Sequence, residues 1–234
     1  VRKGYTKNFY MTNAAACVID IGLEDSYNIM VKDSKLKRQK ILFSSSDIDM
    51  TLKQIKALKY EESFRIHPNI TITFFNNGHL IGSSIVLVQI DDPKGTINLL
   101  YTGDYKPQNV FLDIKPLPCW VYALPNLTII TECTYGTTNS WDIEYKWKED
   151  IINACSENKI IFNNAFGQGR FQELMYRIRK LEDEGLIPKD YPVKVDGSTG
   201  IDYTFRYISH SNVLRIKDEM KSFFPYNLQF VDNK

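Results

Sequence analysis

The sequence predicts a layered α/β protein, and two observations predict it. Apolar β runs recur at Ile70–Phe75, Ile85–Ile90, Thr96–Tyr101 and Leu127–Thr131, and segments of helical spacing flank them on both sides. Three of these runs lead directly into a side chain of chemical interest: His79, Asp104 and Glu132. Strand ends in layered α/β proteins converge on one rim, so residues distant in sequence can meet there.

The elements follow in order. Thr12–Asp25 reads as a helix with Thr12 or Asn13 as N-cap, Ala14, Ala15 and Ala16 as good helix formers, and Val18 and Ile21 on the apolar face. Lys32–Lys40 is a basic run that reads either as a solvated face or as a phosphate-facing patch. A second helix starts at Ser44–Asp47, with Ser46 and Asp49 as a capping box and Ile48, Leu52, Ile55 and Leu58 at helical spacing. Tyr60–Ile66 leads into the central hairpin, and Pro68 makes His67 an extended surface residue. The Ile85–Ile90 strand is apolar on both faces, which predicts burial on both.

Asp91–Gly95 carries the Pro and Gly of a tight turn. Lys106–Ala123 is longer than an ordinary loop, as expected of a functional or packed excursion. Ser140–Cys155 reads as a helix with Trp147, Ile151 and Cys155 on one stripe, and Trp141 and Trp147 as packing residues. A strand at Lys159–Phe162, a polar loop at Asn163–Gly169 and an amphipathic helix at Arg170–Glu184 come next. Val193–Asp196 is a short strand and Gly197–Gly200 a turn. Helices follow at Ile201–Ile208 and Val213–Phe223, with His210 between them as a cap or surface residue.

The chemistry of the strand-end residues is specific only in combination. Alone, a Gly-His step reads as a capped loop and a Gly-Asp step as a plain turn. Gly78 and Gly82 flank His79, so the backbone can approach a ligand closely. Imidazole nitrogen and carboxylate oxygen suit zinc, manganese or iron better than calcium. Arg170 opens a helix behind a glycine-containing turn, where its forked donor and the first helical N–H groups could face a phosphate. The competing reading pairs Arg170 with Glu173 of its own helix.

Several segments together carry a family resemblance. Gly78-His79-x-x-Gly82-Ser83, then Leu100-Tyr101-Thr102-Gly103-Asp104, then Glu132-x-Thr134-Tyr135-Gly136 resemble the β-CASP nucleases of the metallo-β-lactamase superfamily. Tyr10–Ala14, Leu42–Leu58 and Gly169-Arg170-x-Gln172-Glu173-Leu174 extend the likeness over nearly the whole chain. The resemblance implies part of an αββα sandwich over 1–138 and the start of an inserted β-CASP domain over 139–234. It implies a pair of Zn2+ ions, with Mn2+ as the substitute. His79 would bind one ion and Asp104 would bridge both, while Glu132 would support a metal-ligand histidine and count with Asp104 as catalytic. Arg170, Gly169 and Ser198 would hold substrate.

The implied substrate is RNA, cleaved by phosphodiester hydrolysis, because Glu132-Cys133-Thr134-Tyr135-Gly136 is closer to the RNA-cleaving members than to the DNA-cleaving branch. Other subunits of an RNA-processing complex, or a second copy of the chain, are the implied protein partners. The family's His-x-His-x-Asp-His cluster does not occur here, since the only histidines are His67, His79 and His210. Many members carry a histidine at the position of Asn13. The expectation is an internal fragment of a longer nuclease, inactive by itself. A metal-free paralogue that scaffolds an RNA-processing complex, a DNA nuclease and a small-molecule hydrolase of the same superfamily stay open.

Composition bounds these readings. A formal charge of +1 supplies no global basic field, so any nucleic-acid contact has to be local. Cys17, Cys119, Cys133 and Cys155 lie far apart, which argues against a zinc ribbon or disulfide framework and for a reducing cytoplasmic or nuclear setting. No apolar run approaches the ~18 residues needed to span a bilayer, so no membrane partner is expected.

Overall fold

A computed structural model of the chain describes residues 3–134, 136, 141–214, 217 and 223–231, with the backbone alone over 141–145. It divides into two compact units, Val1–Glu132 with Arg206–Ile216, and Cys133–Phe205 with Lys217–Lys234. The architecture is mixed α/β, consistent with the expected metallo-β-lactamase-type fold.

The first unit is built on one sheet. Its strands are β3 (Ser63–His67), β4 (Ile70–Asn76), β5 (Ser84–Asp92), β6 (Gly95–Tyr101) and β7 (Leu127–Ile130), hydrogen-bonded in that order. β3 to β6 pair antiparallel, and β7 adds parallel to β6 with Tyr101 opposite Ile130. The C-terminal ends of β4, β6 and β7 therefore share one edge. β4 is the strand buried on both faces, with Ile72 to Asn76 all inside. In β5 only one face is fully buried, through Ile85 and Leu87, while Val86 and Val88 stay half-exposed. Apolarity on both faces of β5 thus overstated its burial.

Phe75, Ile85, Leu87 and Leu100 form a core closed by Val121 of the short helix α4 (Cys119–Tyr122). Phe111 and Leu112 are buried as well, so the long loop is a packed excursion.

Ahead of the sheet, β1 (Phe9–Thr12) pairs parallel with β2 (Ile55–Leu58). Ile55 and Leu58 therefore belong to a strand and not to the preceding helix, because Phe9 to Thr12 lie alongside to take the hydrogen bonds. Helix α3 (Ser45–Lys53) is capped by Ser44 with Asp47 closing the capping box, two residues earlier than Ser46 and Asp49. Thr12 caps α1 (Asn13–Ala16) as predicted, its hydroxyl accepting from Ala15 N at 3.0 Å. The chain breaks at Cys17–Val18 and resumes as α2 (Ile19–Lys37), well beyond Asp25. Most of the basic run therefore lies on a helix.

The second unit holds α5 (Trp141–Ser156), α6 (Arg170–Asp183), β8 (Val193–Val195) paired parallel with β9 (Leu228–Phe230), and α7 from Ser198. Ile151, Cys155, Leu181 and Ile187 form its core, with Trp147 packed against them. The strand expected at Lys159–Phe162 is not formed among the described residues. Gly197–Gly200 is not a free turn: α7 (Ser198–Ser209) begins inside it. Most of Val213–Phe223, with Tyr135, Ser140 and the Trp141 side chain, lies outside the described residues. His67 and His210 are exposed, as expected.

Glu182 of α6 is fully buried, and among the described residues only its Oε2 has a partner, Tyr226 N at 3.0 Å. Burial pushes this carboxyl above its ordinary value, against the lowering pull of the Tyr226 N–H and the Arg179 guanidinium. A folded value above the unfolded one (about 4.3) means that the folded state binds the extra proton. Stability must then fall as pH rises from the ordinary carboxylate value through the folded one. Glu182→Gln is expected to remove this fall, which melting curves of both proteins between pH 4 and 7 would record. An unchanged pH dependence would refute the assignment.

Candidate functional site

The strand-end site begins with β4. Its last residues are buried, so the polar Asn76 and Asn77 need partners inside the protein. Asn76 Oδ1 accepts from Gly78 N at 2.9 Å. Asn77 does more. Its Nδ2 donates to Thr102 O at 3.0 Å and to Asp104 O at 2.9 Å. Its Oδ1 accepts from His79 N at 3.1 Å and faces the Ser83 hydroxyl. One buried carboxamide thus ties the backbone of the His79 loop to the backbone of the Asp104 loop.

The glycines around it are spatial necessities. Gly78 lies at φ +73, and a Cβ there would stand 2.1 Å from Lys106 O and 2.3 Å from Ile114 Cδ1. Gly82 lies at φ +84, and its Cβ would stand 2.5 Å from Ala15 N and Cα. Thr12 Oγ1 donates to Gly82 O at 2.8 Å, which docks α1 on the same turn. Asn109, from the long loop, donates to Gly78 O at 2.7 Å.

His79 is half-exposed and Asp104 exposed, each following the C-terminal end of its strand. Glu132 is half-buried beyond β7, where Thr102 N donates to Ile130 O at 3.0 Å and the Thr102 and Thr131 hydroxyls meet at 3.3 Å. The three residues thus follow strand ends on one edge of one sheet. Asn77, Ser83 and Thr12 carry the geometry without having been assigned a role in it. The signal for Asn77 was there: a polar residue between a buried strand and a glycine.

The implied metal pair can be tested against the donors. Among the described residues no three His, Cys, Asp or Glu side chains group closely enough to hold an ion. His79 and Asp104 are at most a partial donor set. Asn13 Oδ1 accepts from Ala14 N at 2.9 Å, within α1.

In the second unit Gly169, at φ +82, opens α6, and its N–H donates to Gln172 Oε1 at 2.7 Å. The Gln172 amide nitrogen reaches Gly167 O, Gly200 O and Thr204 Oγ1 at 3.0, 3.2 and 2.9 Å. Fully buried, Gln172 binds the first turn of α6 to the first turn of α7. Ser198 is exposed at the start of α7. Arg170 makes the local pairing: its NH1 lies 3.0 Å from Glu173 Oε2, while Arg177 approaches Oε1 at 3.5 Å. About half of the Arg170 side chain remains in solvent.

Among the described residues no helix is long and apolar enough to cross a membrane. All four cysteines are free thiols.

No family model matches the chain. It is similar to transcription termination factor FttA of Methanosarcina mazei, at 34% identity over 200 residues, covering 83% of this chain and 30% of the relative. The same factor of Methanocaldococcus jannaschii is 30% identical over 203 residues, 84% of this chain and 30% of that protein. An RNase J-like protein of the latter organism is 27% identical over 216 residues, 90% of this chain and 47% of that protein. The chain therefore spans between about a third and a half of the length of these relatives. Their likeness runs through both units, including the strand-end loops and the opening of α6, and by it the chain belongs to the β-CASP family of metallo-β-lactamase-fold proteins.

Proposed function

We propose that the chain is the strand-end and substrate-facing part of an RNA-processing nuclease that hydrolyses phosphodiester bonds endonucleolytically at transcript 3′ ends. The observation that carries this is the Asn77 bridge between the His79 and Asp104 loops. A buried amide spent on holding two loops in register is the support a catalytic rim requires. The names of the relatives, a transcription termination factor and an RNase J-like protein, favour RNA as substrate and a reducing intracellular compartment.

His79 and Asp104 are offered as two donors of a Zn2+ or Mn2+ centre, with Glu132 orienting a further ligand. Two donors do not hold a metal pair, so a complete centre needs further ligands beside these. The exposed half of Arg170, with Gly169 and Ser198 at two helix starts, is the proposed phosphate grip. Partner subunits or a second copy would assemble on the longer protein.

A second reading, a metal-free scaffold, is favoured by Asn13, whose carboxamide is spent on its own helix at a position where many members carry histidine.

The test is cleavage of end-labelled RNA with Zn2+ or Mn2+. The 234-residue chain alone is expected to cut undetectably, and a polypeptide extended by its flanking sequence is expected to cut. Asp104→Ala in the extended protein should abolish cleavage and leave its melting temperature unchanged, because the Asp104 side chain is exposed. Cleavage that survives Asp104→Ala would sink the nuclease assignment of this site. An inactive extended protein would support the scaffold.

A further inference from the structure

The Lys32–Lys40 segment has no role at the strand-end site. It carries five cations, Lys32, Lys35, Lys37, Arg38 and Lys40, and one carboxylate, Asp33. That is a local net charge of +4 in a chain whose total is +1. All five cations are exposed. Lys37 pairs with Asp33 at 3.1 Å, and the other four make no ion pair among the described residues.

Helix α6 shows how this chain pairs the cations of a helix with its own carboxylates. There Arg170, Arg177, Arg179 and Lys180 each stand within ion-pair distance of a carboxylate three or four positions away. On α2 the spacing is the reverse. Lys32 and Lys35 stand three positions apart, which sets like charges side by side on one face, and Arg38 follows as the C-cap at φ +52. Complementing the helix dipole explains Lys35 and Lys37 in the last turn. It does not explain Lys32 a turn earlier, nor Arg38 and Lys40 beyond the helix. A row of like charges held in solvent is suited to a polyanion, whose phosphates relieve the repulsion and release counterions.

The patch lies at the far end of α2 from the residues that meet the Gly82 turn. Ala15 touches the Gly82 turn, whereas Lys37 closes a 19-residue helix. At ~1.5 Å per residue that helix is roughly 28 Å long.

We propose that the C-terminal end of α2 and the residues after it, Lys32, Lys35, Lys37, Arg38 and Lys40, form a sequence-independent RNA-phosphate contact surface separate from the strand-end site. The inference rests on RNA as the substrate class. It predicts affinity carried by charge alone, with no base preference.

The test is binding of the 234-residue chain to a fluorescent single-stranded RNA over a range of salt concentrations. Lys32→Gln/Lys35→Gln/Arg38→Gln is expected to weaken binding and to make the slope of log affinity against log salt shallower by about 2, at ~0.7 per lost contact. Lys53→Gln/Lys56→Gln/Lys59→Gln removes the same charge from exposed positions of the same unit and should leave the slope as in the wild type. Equal loss in both triple variants would overturn the patch in favour of net charge alone. A wild-type slope that persists in the α2 triple variant would overturn the patch and leave RNA as substrate standing, whereas no RNA binding by any variant at 50 mM salt would overturn both. If vesicles of phosphatidylserine and phosphatidylcholine bind the wild type but not the α2 triple variant, while the RNA slope is unaltered, the patch serves an anionic membrane and the proposal fails.

Discussion

Gly78→Ala is expected to destabilise the first unit by roughly 2–5 kcal/mol, a large share of its stability. Two costs add. A left-handed conformation at φ +73 costs an L-residue about 1–2 kcal/mol. The new methyl would also meet Lys106 O at 2.1 Å and Ile114 Cδ1 at 2.3 Å. The first of these is backbone, and it cannot retreat cheaply. Lys106 N donates to Asn77 O at 2.9 Å, and Asn109 holds Gly78 O from the other side. Overpacking against fixed atoms costs about 1–3 kcal/mol or more, from a total stability on the order of 5–15 kcal/mol. Gly103→Ala separates the two costs. Gly103 also has a positive φ, +57, but a Cβ there would meet Asn77 Nδ2 at 3.5 Å and Ser84 O at 3.7 Å, both ordinary contacts. It should lose the conformational part alone, about 1–2 kcal/mol. Urea titration of both variants measures the difference, and equal losses would show that the Lys106 contact is soft.

Asn77→Ala is expected to cost about 3–4 kcal/mol and to loosen the two loops together. The substitution strands His79 N, Thr102 O and Asp104 O, and each buried polar group left without a partner costs about 1–3 kcal/mol. The total falls short of the sum because Asp104 is exposed, so water can reach its carbonyl. Hydrogen exchange at the His79 amide should accelerate well beyond the average of the unit. Asn77→Asp sharpens the test. It keeps the acceptor for His79 N but turns a carboxylate oxygen toward two carbonyls that previously received hydrogen bonds. Such a carboxyl should titrate above its ordinary value, so the variant should be more stable at acid pH and lose stability as pH rises. An Asp variant with a flat pH profile would mean that the carboxamide does not donate to those carbonyls.

The elements that the sequence by itself determined are those whose signal is local. The Thr12 cap, the β4, β5 and β6 runs, the Pro-Gly turn between β5 and β6, and the amphipathic α6 are all written in spacing and turn residues within a few positions of each other. So was the arrival of His79, Asp104 and Glu132 just past strand ends. Partnerships over long separations were decided only by the tertiary structure. Ile55 and Leu58 kept helical spacing in the sequence but became a strand, because β1 lies beside them with Phe9 opposite Ile55. Lys159–Phe162 has the composition of a strand and finds no ladder partner among the described residues. Arg170 could have faced solvent or a carboxylate, and the helical geometry brings Glu173 to 3.0 Å. Asn77 is the plainest case. Its neighbours announce a turn, but the two carbonyls that it holds lie 25 and 27 residues away. Local pattern sets the periodicity of an element, whereas a buried amide's partners depend on which strand ends lie together, which only the closed sheet decides.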